Sequence, residues 1–302
     1  MTPAFNIKNR IDFLFIFDCL DGNPNGDPNM DNLPRQDPET GHGLVSDVAI
    51  KRRIRDYVEA AGTRIYVKAG TALDDTRAEA YKALGVDDGD AKDGEEGEEG
   101  EKKGKSKSKG KGKALGKKDP RVDSLRDWMC EKFYDIRTFG AVMSVSKNCG
   151  QVRGPVQITF SRSVDPIVPM SQAITACAAQ TGSEDKENQT MGRKAMMPYG
   201  LYVGRGFFSP ALAKQTGFGD DDFKLLMQAL LGMFEQDRSA SRGTQTMRKV
   251  IVFQHSSPLG NVRSADLFDL VKIVSKTKTP RSFSDYSIEV GKADGVEVTV
   301  LG

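Results

Sequence analysis

Residues 12–61 constrain the fold more than any other part of the sequence, because a short apolar run, a turn-rich loop and an amphipathic helix follow one another there. The run from Phe13 to Phe17 is continuous and aromatic, which favours a strand buried on both faces over a helix. The loop after it is rich in Gly, Asn, Asp and Pro, the residues that form turns. Such a long loop is uncommon inside a compact domain unless it is functional. We therefore expect a functional surface where the loop meets the helix.

The helix expected over residues 46–61 is apolar on one side and basic on the other. Ser46 is a good N-cap, and Asp47 places a negative charge in the first turn, where the helix dipole favours it. The apolar stripe consists of Ile50, Ile54, Tyr57 and Ala61. The basic residues are Lys51, Arg52, Arg53 and Arg55. These charges have one sign, with no intervening Glu to pair with them, so they predict a surface that receives a polyanion. The alternative is a solvated charged face.

Composition and charge restrict the class of protein. The 302 residues allow one large domain or two small ones, and an apolar fraction of 38% is enough for a sizeable core. The net charge of +2 carries no overall signature of nucleic-acid binding, so a basic surface must be local. No N-terminal signal segment and no apolar run of roughly 18 residues is visible, which predicts a soluble cytoplasmic protein with no membrane partner. The scattered Cys19, Cys130, Cys149 and Cys177 argue against a disulfide framework or a zinc site.

A low-complexity segment interrupts the chain at 87–118. Its first half, 87–101, is acidic, and its second half, 102–118, is basic, with almost no apolar residue in either. Such a segment cannot bury enough surface to offset the loss of chain entropy, so we expect a disordered insert. The two halves pair in charge, which favours a passive linker, with weak electrostatic help in binding as the alternative.

The rest of the sequence alternates between helical and strand-like patterns, which predicts an α+β fold with a mixed sheet. Strands are expected at 64–68, 136–145, 152–162, 199–209 and 250–253, with a closing hairpin at 286–290 and 296–301. Helices are expected at 74–84, 119–134, 220–234 and 265–274. Residues 163–200 are polar and have little periodicity, so we interpret them as an excursion from the domain.

The sequence offers little support for catalysis. Its histidines, His42 and His255, form no acid–base pair that is visible in the sequence, and no G-x-S-x-G motif is present. The run Asp21-x-Asn23-x-Asn25-Gly26 imitates the start of an EF-hand loop. A strand precedes it, however, and its twelfth position is Asn32 instead of Glu. The carboxylates that remain as candidates are Asp18, Asp21, Asp27 and Asp31, for which turn formation is the alternative role. We expect no metal and no cofactor.

Further candidate ligand contacts lie beside glycines or in the excursion. Arg137, Lys147 and Arg153 lie near Gly140, Gly150 and Gly154, where backbone can approach a ligand closely. The run from Gly204 to Phe208, which includes Arg205, weakly resembles an RNP-type strand; core packing of Phe207 and Phe208 is the favoured alternative. The excursion contains Arg193, Lys194, Met196 and Met197. Its methionines are candidates for apolar wedges between bases, with core packing as the alternative.

Three stretches together resemble a known protein family. They are DGNPNGDPNMDNLPRQDPETGHGLVSDVAIKRRIRDYV at 21–58, DIRTFGAVMSV at 135–145 with GQVRGPVQITFSRSVDPI at 150–167, and MGRKAMMPYGLYVGRGFFSP at 191–210. The combination resembles the backbone subunit of the type I-C CRISPR Cascade complex, in the Csd-type branch of the Cas seven superfamily of RAMP proteins. The resemblance covers most of the chain outside 62–118 and the C-terminal end.

The resemblance implies a fold and a function. The implied fold is a single RAMP-type RNA-binding domain over 1–302, with a ferredoxin-like (RRM-like) palm, a helical fingers insertion and an extended thumb β-hairpin matching 163–200. The implied function is non-catalytic. Copies polymerise as a helical filament along CRISPR RNA (crRNA), beside other Cascade subunits, and present the guide for pairing with target DNA in antiviral defence. The alternative is a metal-dependent endoribonuclease, because related RAMP subunits of other CRISPR types cut RNA with a loop aspartate.

The resemblance also implies that Ser46, Lys51 and Arg55 touch guide-RNA phosphates. Together with the candidates from the basic, turn and excursion segments, the expected RNA contacts are Asn23, Asn25, Arg35, Ser46, Lys51, Arg52, Arg53, Arg55, Arg137, Lys147, Arg153, Arg193, Lys194, Met196, Met197 and Arg205.

Deletion of residues 87–118 should leave the melting temperature and RNA binding nearly unchanged, because a solvated insert contributes little to the core and long surface insertions are tolerated. Thermal unfolding and RNA titration of the deletion variant check this. A melting temperature lowered by many degrees would contradict it.

Overall fold

Strand β1 (Ile11–Gly22) is the central strand of the main sheet in the computed structural model, which describes residues 5–86, 120–175 and 191–302. Phe13, Phe15 and Phe17 belong to the core on one face of the sheet. Leu14 and Ile16 belong to the core on the other face. Each of these five side chains is almost completely buried. The prediction of a strand buried on both faces is therefore confirmed.

The described ranges contain further strands and helices. The strands are β2 (Gly26–Asp27), β3 (Leu33–Pro34), β4 (His42–Val45), β5 (Gly140–Val142), β6 (Gln151–Arg153), β7 (Val156–Ile158), β8 (Ser161–Pro166), β9 (Met170–Thr175), β10 (Met191–Phe208), β11 (Thr244–His255), β12 (Val271–Ser275), β13 (Tyr286–Val290) and β14 (Val296–Leu301). The helices are α1 (Asp47–Ala60), α2 (Leu73–Leu84), α3 (Pro120–Lys132), α4 (Tyr134–Phe139), α5 (Pro210–Thr216), α6 (Asp220–Gln236) and α7 (Ser264–Phe268).

The main sheet has the strand order β14-β11-β1-β10-β8-β4, and β7 and β9 also pair with β10. Its neighbouring strands are antiparallel. Helices α1 and α6 pack against each other, and their apolar residues join the core that contains Phe13, Phe15 and Phe17. Helix α7 and the β12–β13 hairpin cover the opposite face. The sheet thus separates a helical layer from a smaller mixed layer.

A second, smaller core lies in the segment between α1 and β7. Its buried residues come from α2, α3, α4 and the neighbouring loops, and include Tyr81, Leu125, Met129 and Phe133. The β5–β6 hairpin packs against this cluster through Ala141 and Val152. This helical insertion has its own apolar interior beside the main sheet.

Several predicted elements were wrong. The strands at 286–290 and 296–301 form, but they pair with β12 and β11 instead of forming a closing hairpin with each other. Residues 152–162 belong to β6, β7 and β8 instead of one strand.

Residues 136–139 belong to helix α4 instead of a strand. The sequence pattern did not indicate a helix, because this helix is almost wholly buried and shows no polar stripe. The helix expected at 265–274 ends at Phe268, and 271–275 form β12. No strand forms at 64–68, because the backbone N–H groups of Tyr66 and Val67 donate to the carboxylate of Asp135 at 2.7 and 3.0 Å.

The excursion at 163–200 contains a β-hairpin arm. Residues 170–175 pair with 191–196 in an antiparallel ladder that runs from Met170↔Met196 to Thr175↔Met191. The inner part of β10 then continues into the main sheet beside β1. Residues 176–190 and the predicted disordered insert at 87–118 lie outside the described residues.

Gly204→Ala should destabilise the protein by about 1–3 kcal/mol, the usual cost of overpacking a filled core. Gly204 pairs with Phe15 across the β1–β10 ladder, and a Cβ atom at this position would overlap the Phe15 ring. Gly192→Ala on the same strand is the matched control, because its Cβ atom would lie 3.2 Å from Cγ1 of the exposed Ile174. Urea unfolding of both variants checks the difference; equal midpoints would contradict it.

Candidate nucleic-acid interface

Polar side chains of the loop hold the turns between β1 and α1. Asn25 Oδ1 accepts a hydrogen bond from the backbone N–H of Ser46 at 3.0 Å, which fixes the loop to the start of α1. Ser46 Oγ in turn accepts from the backbone N–H of Ala49 at 3.2 Å, so the N-cap prediction is confirmed. Asn23 Nδ2 donates to the carbonyl oxygen of Asn32 at 2.6 Å. Asn23, Asn25 and Ser46 are therefore brought together, and each has a structural role.

A polar cleft of about 280 Å³ lies between this loop, α1 and the turn before β11. The lining residues are Asn23, Pro24, Asn25, Gly26, Asn32, Ala49, Arg52, Arg53, Asp56, Asp237, Ser241 and Arg242. Side-chain exposure distinguishes its arginines: Arg52 and Arg242 are 39% and 42% exposed, whereas Arg53 is 6% exposed. Arg52 and Arg242 therefore lie at the rim, and Arg53 lies in the floor.

Arg53 ties the loop to two helices. Its Nε donates to Asp237 Oδ2 at 2.8 Å, and its guanidinium also donates to the carbonyl oxygen of Pro24 at 2.7 Å. The guanidinium carbon lies 5.5 Å from the centroid of the Phe234 ring. Burial lowers the pKa of Arg53, and the charge of Asp237 opposes that shift. The donors of Arg53 are therefore used inside the protein, and its RNA contact stays a prediction.

The other cations of α1 are also paired. Lys51 Nζ lies 2.9 Å from Asp47 Oδ2, and Arg52 lies 2.6 Å from Asp56, each across one helical turn. Arg55 Nε donates at 2.8 Å to Asp135, whose side chain is 1% exposed. The basic face of α1 therefore has acidic partners, contrary to the interpretation of an unpaired face. These partners are aspartates, whereas the sequence argument had considered only glutamates.

Lys51 and Arg55 nevertheless share one surface. The Lys51 ammonium and the Arg55 guanidinium lie 5.9 and 5.4 Å from the centroid of the Phe139 ring on α4. Lys51 is held by an ion pair within α1, whereas Arg55 reaches across to α4. Of the two, Lys51 is the residue whose charge can turn to a ligand without breaking an ion pair to another helix.

The candidate residues in the helical insertion differ in their contacts and in their exposure to solvent. Arg137 is held by Asp222, to which its Nε donates at 3.0 Å and its Nη2 at 2.8 Å, and its RNA contact stays a prediction. Lys147 Nζ lies 5.9 Å from the centroid of the Tyr81 ring. Arg153 is exposed at the end of β6. Arg153 therefore remains a candidate ligand contact, in the insertion and away from the cleft lining.

Arg35 is held against the loop. Its Nη1 lies 3.6 Å from Asp27 Oδ2, its backbone N–H donates to the carbonyl oxygen of Asn25, and its Nε is buried with no hydrogen-bond partner among the described residues. Asp27 also caps the short 3₁₀ turn Pro28–Met30 by accepting from the backbone N–H of Asn29 at 3.1 Å. The turn-forming role considered for Asp27 is thus present.

The candidates on β10 lie in different places. Met197 is completely buried beside Tyr202, as the core-packing alternative expects. Met196 is partly exposed at the base of the arm. Arg193 and Lys194 lie on the arm itself.

Arg205 lies on the sheet face opposite α1, with its guanidinium carbon 5.4 Å from the Phe268 ring centroid. Phe208 is buried in the core on the α1 face, and Phe207 packs partly buried against the core on the other face, so both pack as the favoured alternative expects.

Asp18 and the two histidines, which were considered for catalysis, are held in structural contacts. Asp18 accepts from Tyr199 Oη at 3.0 Å and from Arg248 Nε at 2.9 Å, and burial raises the pKa of its carboxyl. His255 Nε2 lies 3.1 Å from Asp12 Oδ2, and both side chains are buried. His42 lies apart from them, with Nδ1 2.8 Å from the carbonyl oxygen of Ser163.

The described part of the chain has neither a cluster of metal-binding side chains nor a membrane-spanning helix. In residues 5–86, 120–175 and 191–302, no group of three or more His, Cys, Asp or Glu side chains is arranged to hold a metal ion. Within the same ranges, no helix has the length and apolar character needed to cross a membrane.

Sequence reasoning missed the turn between α6 and β11. Asp237, Ser241 and Arg242 line the cleft opposite the loop, and Ser241 accepts a backbone hydrogen bond from Asn23 at 2.9 Å. These residues lie far from the loop in sequence and have no motif. No local signal identified them, because the antiparallel pairing of β1 with β11 brings them to the cleft.

Arg55→Ala should lower the free energy of unfolding by roughly 1–3 kcal/mol, because it removes the charged partner of a buried carboxylate. Asp135 keeps its two backbone donors in this variant, which limits the loss. Lys51→Ala is the control, since an ion pair across one turn of a helix contributes only about 0.3–0.5 kcal/mol. Urea unfolding measures both; an Arg55→Ala midpoint no lower than that of Lys51→Ala would contradict the assignment.

Part of this chain is similar in sequence to a known protein. A CRISPR-associated protein Cas7 from Haloferax volcanii is 46% identical over 84 residues, which are 27% of this chain and 25% of that protein. The matched region therefore spans about a quarter of the length of that relative.

Two chains of solved structures can be compared with this one. One chain of a structure described as "CRISPR RNA-guided surveillance complex, pre-nicking" is 16% identical, with a TM-score of 0.56 over 86% of this chain and 82% of that one. A chain of another "CRISPR RNA-guided surveillance complex" is 13% identical, with a TM-score of 0.41 over 81% and 69%. The first likeness shows a shared mixed α/β fold around a large antiparallel sheet.

The family model for the CRISPR-associated protein Cas7 matches residues 9–291, which include β1, the loop, α1, the helical insertion, the arm and the whole main sheet except the last strand. A match of this extent covers most of the chain, and we conclude that the protein belongs to the Cas7 family.

Proposed function

We propose that this protein is a non-catalytic, RNA-binding backbone subunit of a type I CRISPR surveillance complex, of the I-C subtype. The observation that carries the proposal is the Cas7 family match across residues 9–291. The core topology agrees with a ferredoxin-like palm: β1 lies between β10 and β11, α1 follows β1, and α6 connects β10 to β11. In this proposal the insertion around α2, α3 and α4 forms the fingers, and the β9–β10 arm forms the thumb.

The cleft has guanidinium groups at its rim, and an RNA-binding subunit needs such groups to hold phosphates. Arg52 and Arg242 are half-exposed at its rim, where their guanidinium groups can reach phosphates. Phosphate contacts supply affinity without sequence preference. Base pairing with the target strand then reads the sequence, and the protein holds only the guide backbone. This division lets one subunit accept guides of unrelated sequence.

The arm supports assembly into a filament. All five residues from Ser171 to Thr175 are exposed, and Ile174 and Met191 expose 52% and 70% of their surface. Exposed apolar residues on a hairpin are suited to burial against another molecule. A subunit that repeats along one RNA uses a heterologous interface that does not close. We therefore propose that the arm lies against the next copy, with guide RNA, target DNA and other Cascade subunits as the remaining partners.

The endoribonuclease alternative needs a loop aspartate that is free to act with a metal ion. Asp18 is buried against Arg248 and Tyr199, and Asp27 caps a turn and faces Arg35. Asp21 is exposed beside the cleft. These contacts give Asp18 and Asp27 structural roles, and no observation favours the alternative over the binding role.

The wild-type protein should not cleave bound or complementary RNA in the presence of magnesium or manganese, and Asp21→Ala should behave as the wild type does. Gel analysis of labelled RNA after prolonged incubation checks this. Metal-dependent cleavage that disappears in Asp21→Ala would establish the endoribonuclease and contradict the non-catalytic role.

The double variant Lys51→Ala with Arg52→Ala should weaken RNA binding about equally for unrelated guide sequences. The salt slope should flatten by about 0.7 per lost contact, the value for single strands. The matched control is Arg263→Ala, because Arg263 is an exposed cation paired with Asp266 in α7, on the other side of the sheet. Filter binding across a salt series, with circular dichroism to verify folding, measures the effect. Unchanged affinity and slope in the folded double variant would show that this face is merely solvated.

A further inference from the structure

A second groove lies on the face of the main sheet opposite α1. It has a volume of about 400 Å³ and runs between β8 and β10 on one side and α7 and β12 on the other; we call it the β8–β12 groove. Its apolar lining includes Leu14, Val203, Phe268 and Ile273. The main sheet lies between this groove and helix α1, which lines the cleft, so the two sites are separate.

The charged side chains that line the β8–β12 groove are both arginines. Arg205 is exposed, and its guanidinium carbon lies 5.4 Å from the Phe268 ring centroid. A guanidinium that stacks on a ring keeps the N–H groups at its edge available for a phosphate. The Arg162 side chain is 53% exposed and pairs with Asp37 at 2.6 Å. Among the described residues no carboxylate lines the groove, which is therefore complementary to an anion.

A cationic turn lies at one end of the groove. Tyr286 Oη donates to Asp165 Oδ2 at 2.7 Å, which fixes the start of β13 beside the end of β8. The turn at 276–285, between β12 and β13, has three exposed cations: Lys276, Lys278 and Arg281. The carboxylate of this turn, Asp285, is occupied by two backbone N–H groups of the turn itself. The positive charge thus extends beyond the groove, which suits a chain of phosphates better than a single anion.

An exposed aromatic ring lies beside the arginines. Phe160 follows β7, lines the groove and exposes 54% of its surface. The backbone N–H of the preceding Thr159 donates to the carbonyl oxygen of Arg205 at 3.0 Å, which places Phe160 next to the run that weakly resembles an RNP-type strand. An exposed ring flanked by cations stacks on unpaired bases, whereas a duplex keeps its base faces inside. A single strand supplies a flat base and a phosphate in every nucleotide, and so matches both parts of the lining.

We propose that the β8–β12 groove is a second nucleic-acid site, which binds a single strand of DNA or RNA independently of the cleft. One base stacks on Phe160, and the phosphates contact Arg205, Arg162 and the cations of the 276–285 turn. Stacking and phosphate contacts depend neither on base identity nor on the sugar, so the site accepts strands of unrelated sequence. This goes beyond the proposed function, which uses the cleft and the arm.

The test titrates labelled oligothymidylate and oligouridylate of about 15 nucleotides, a length that single-strand sites can cover, into the full-length protein. The protein first receives one equivalent of an unlabelled RNA that cannot pair with either probe, and fluorescence anisotropy reports binding. Phe160→Ala should weaken binding of both probes roughly tenfold, because one base loses its stacking surface. Val274→Ala is the matched control, since Val274 is an exposed apolar residue of β12 outside the groove lining.

The double variant Lys51→Ala with Arg52→Ala separates the two sites. It should lose affinity for the unlabelled RNA and bind both probes as the wild type does. Equal affinities of Phe160→Ala and Val274→Ala for the probes, or no probe binding by the RNA-loaded protein, would overturn the inference and leave the proposed function intact.

Two further outcomes are distinguishable. If the protein fails to bind the unlabelled RNA, the proposed function falls, and the same titrations of the RNA-free protein still decide the inference. If light scattering shows that Phe160→Ala changes the mass of the assembly while probe binding is unchanged, the groove is a contact between copies and the inference is overturned.

Discussion

Burial of β1 on both faces is the constraint on which the rest of the structure depends. Phenylalanines point to the helical layer, and leucine and isoleucine point to the mixed layer. Each fully buried side chain of this kind contributes about 1.5–3 kcal/mol. The space for the large rings comes from Gly204 and Gly206 on β10, which stand opposite Phe15 and Phe13. Strand β1 therefore fixes β10 and β11 beside it, and these neighbours carry the arm and the turn that completes the cleft.

Arg53 links this sheet to the candidate interface. One guanidinium holds the loop through Pro24, the α6 end through Asp237 and the Phe234 ring by stacking. Burying a charge is costly, and an ion pair repays that cost only with good geometry and further hydrogen bonds. Arg53 has both: a 2.8 Å ion pair with Asp237 and a further hydrogen bond to the Pro24 carbonyl oxygen. These contacts bury Arg53 and hold Pro24 in the wall of the cleft, whereas the neighbouring Arg52 is half-exposed at its rim.

The candidate site was predictable where its residues are close in sequence. The loop, the Ser46 cap and the cleft-lining Asn23, Asn25 and Arg52 all come from one continuous stretch, and their turn and cap chemistry is local. The pairing of charges was not predictable in the same way. Asp135 meets Arg55, Asp222 meets Arg137, and Asp237 meets Arg53 across 80 or more positions, so a basic pattern gave no sign of its partners.

The sequence by itself determined the buried strand, the turn-rich loop, the capped amphipathic helix and the Cas7 family, because these depend on local periodicity, local hydrogen bonding and motif identity. It misassigned 136–139, where a short helix is almost wholly buried, and 265–274, which divides into helix α7 and strand β12. Tertiary structure alone decided which cations remain at the surface, that Met197 is core, and that the α6–β11 turn forms one wall of the cleft. Strand pairing and burial set these outcomes, and both join residues that are distant in the chain.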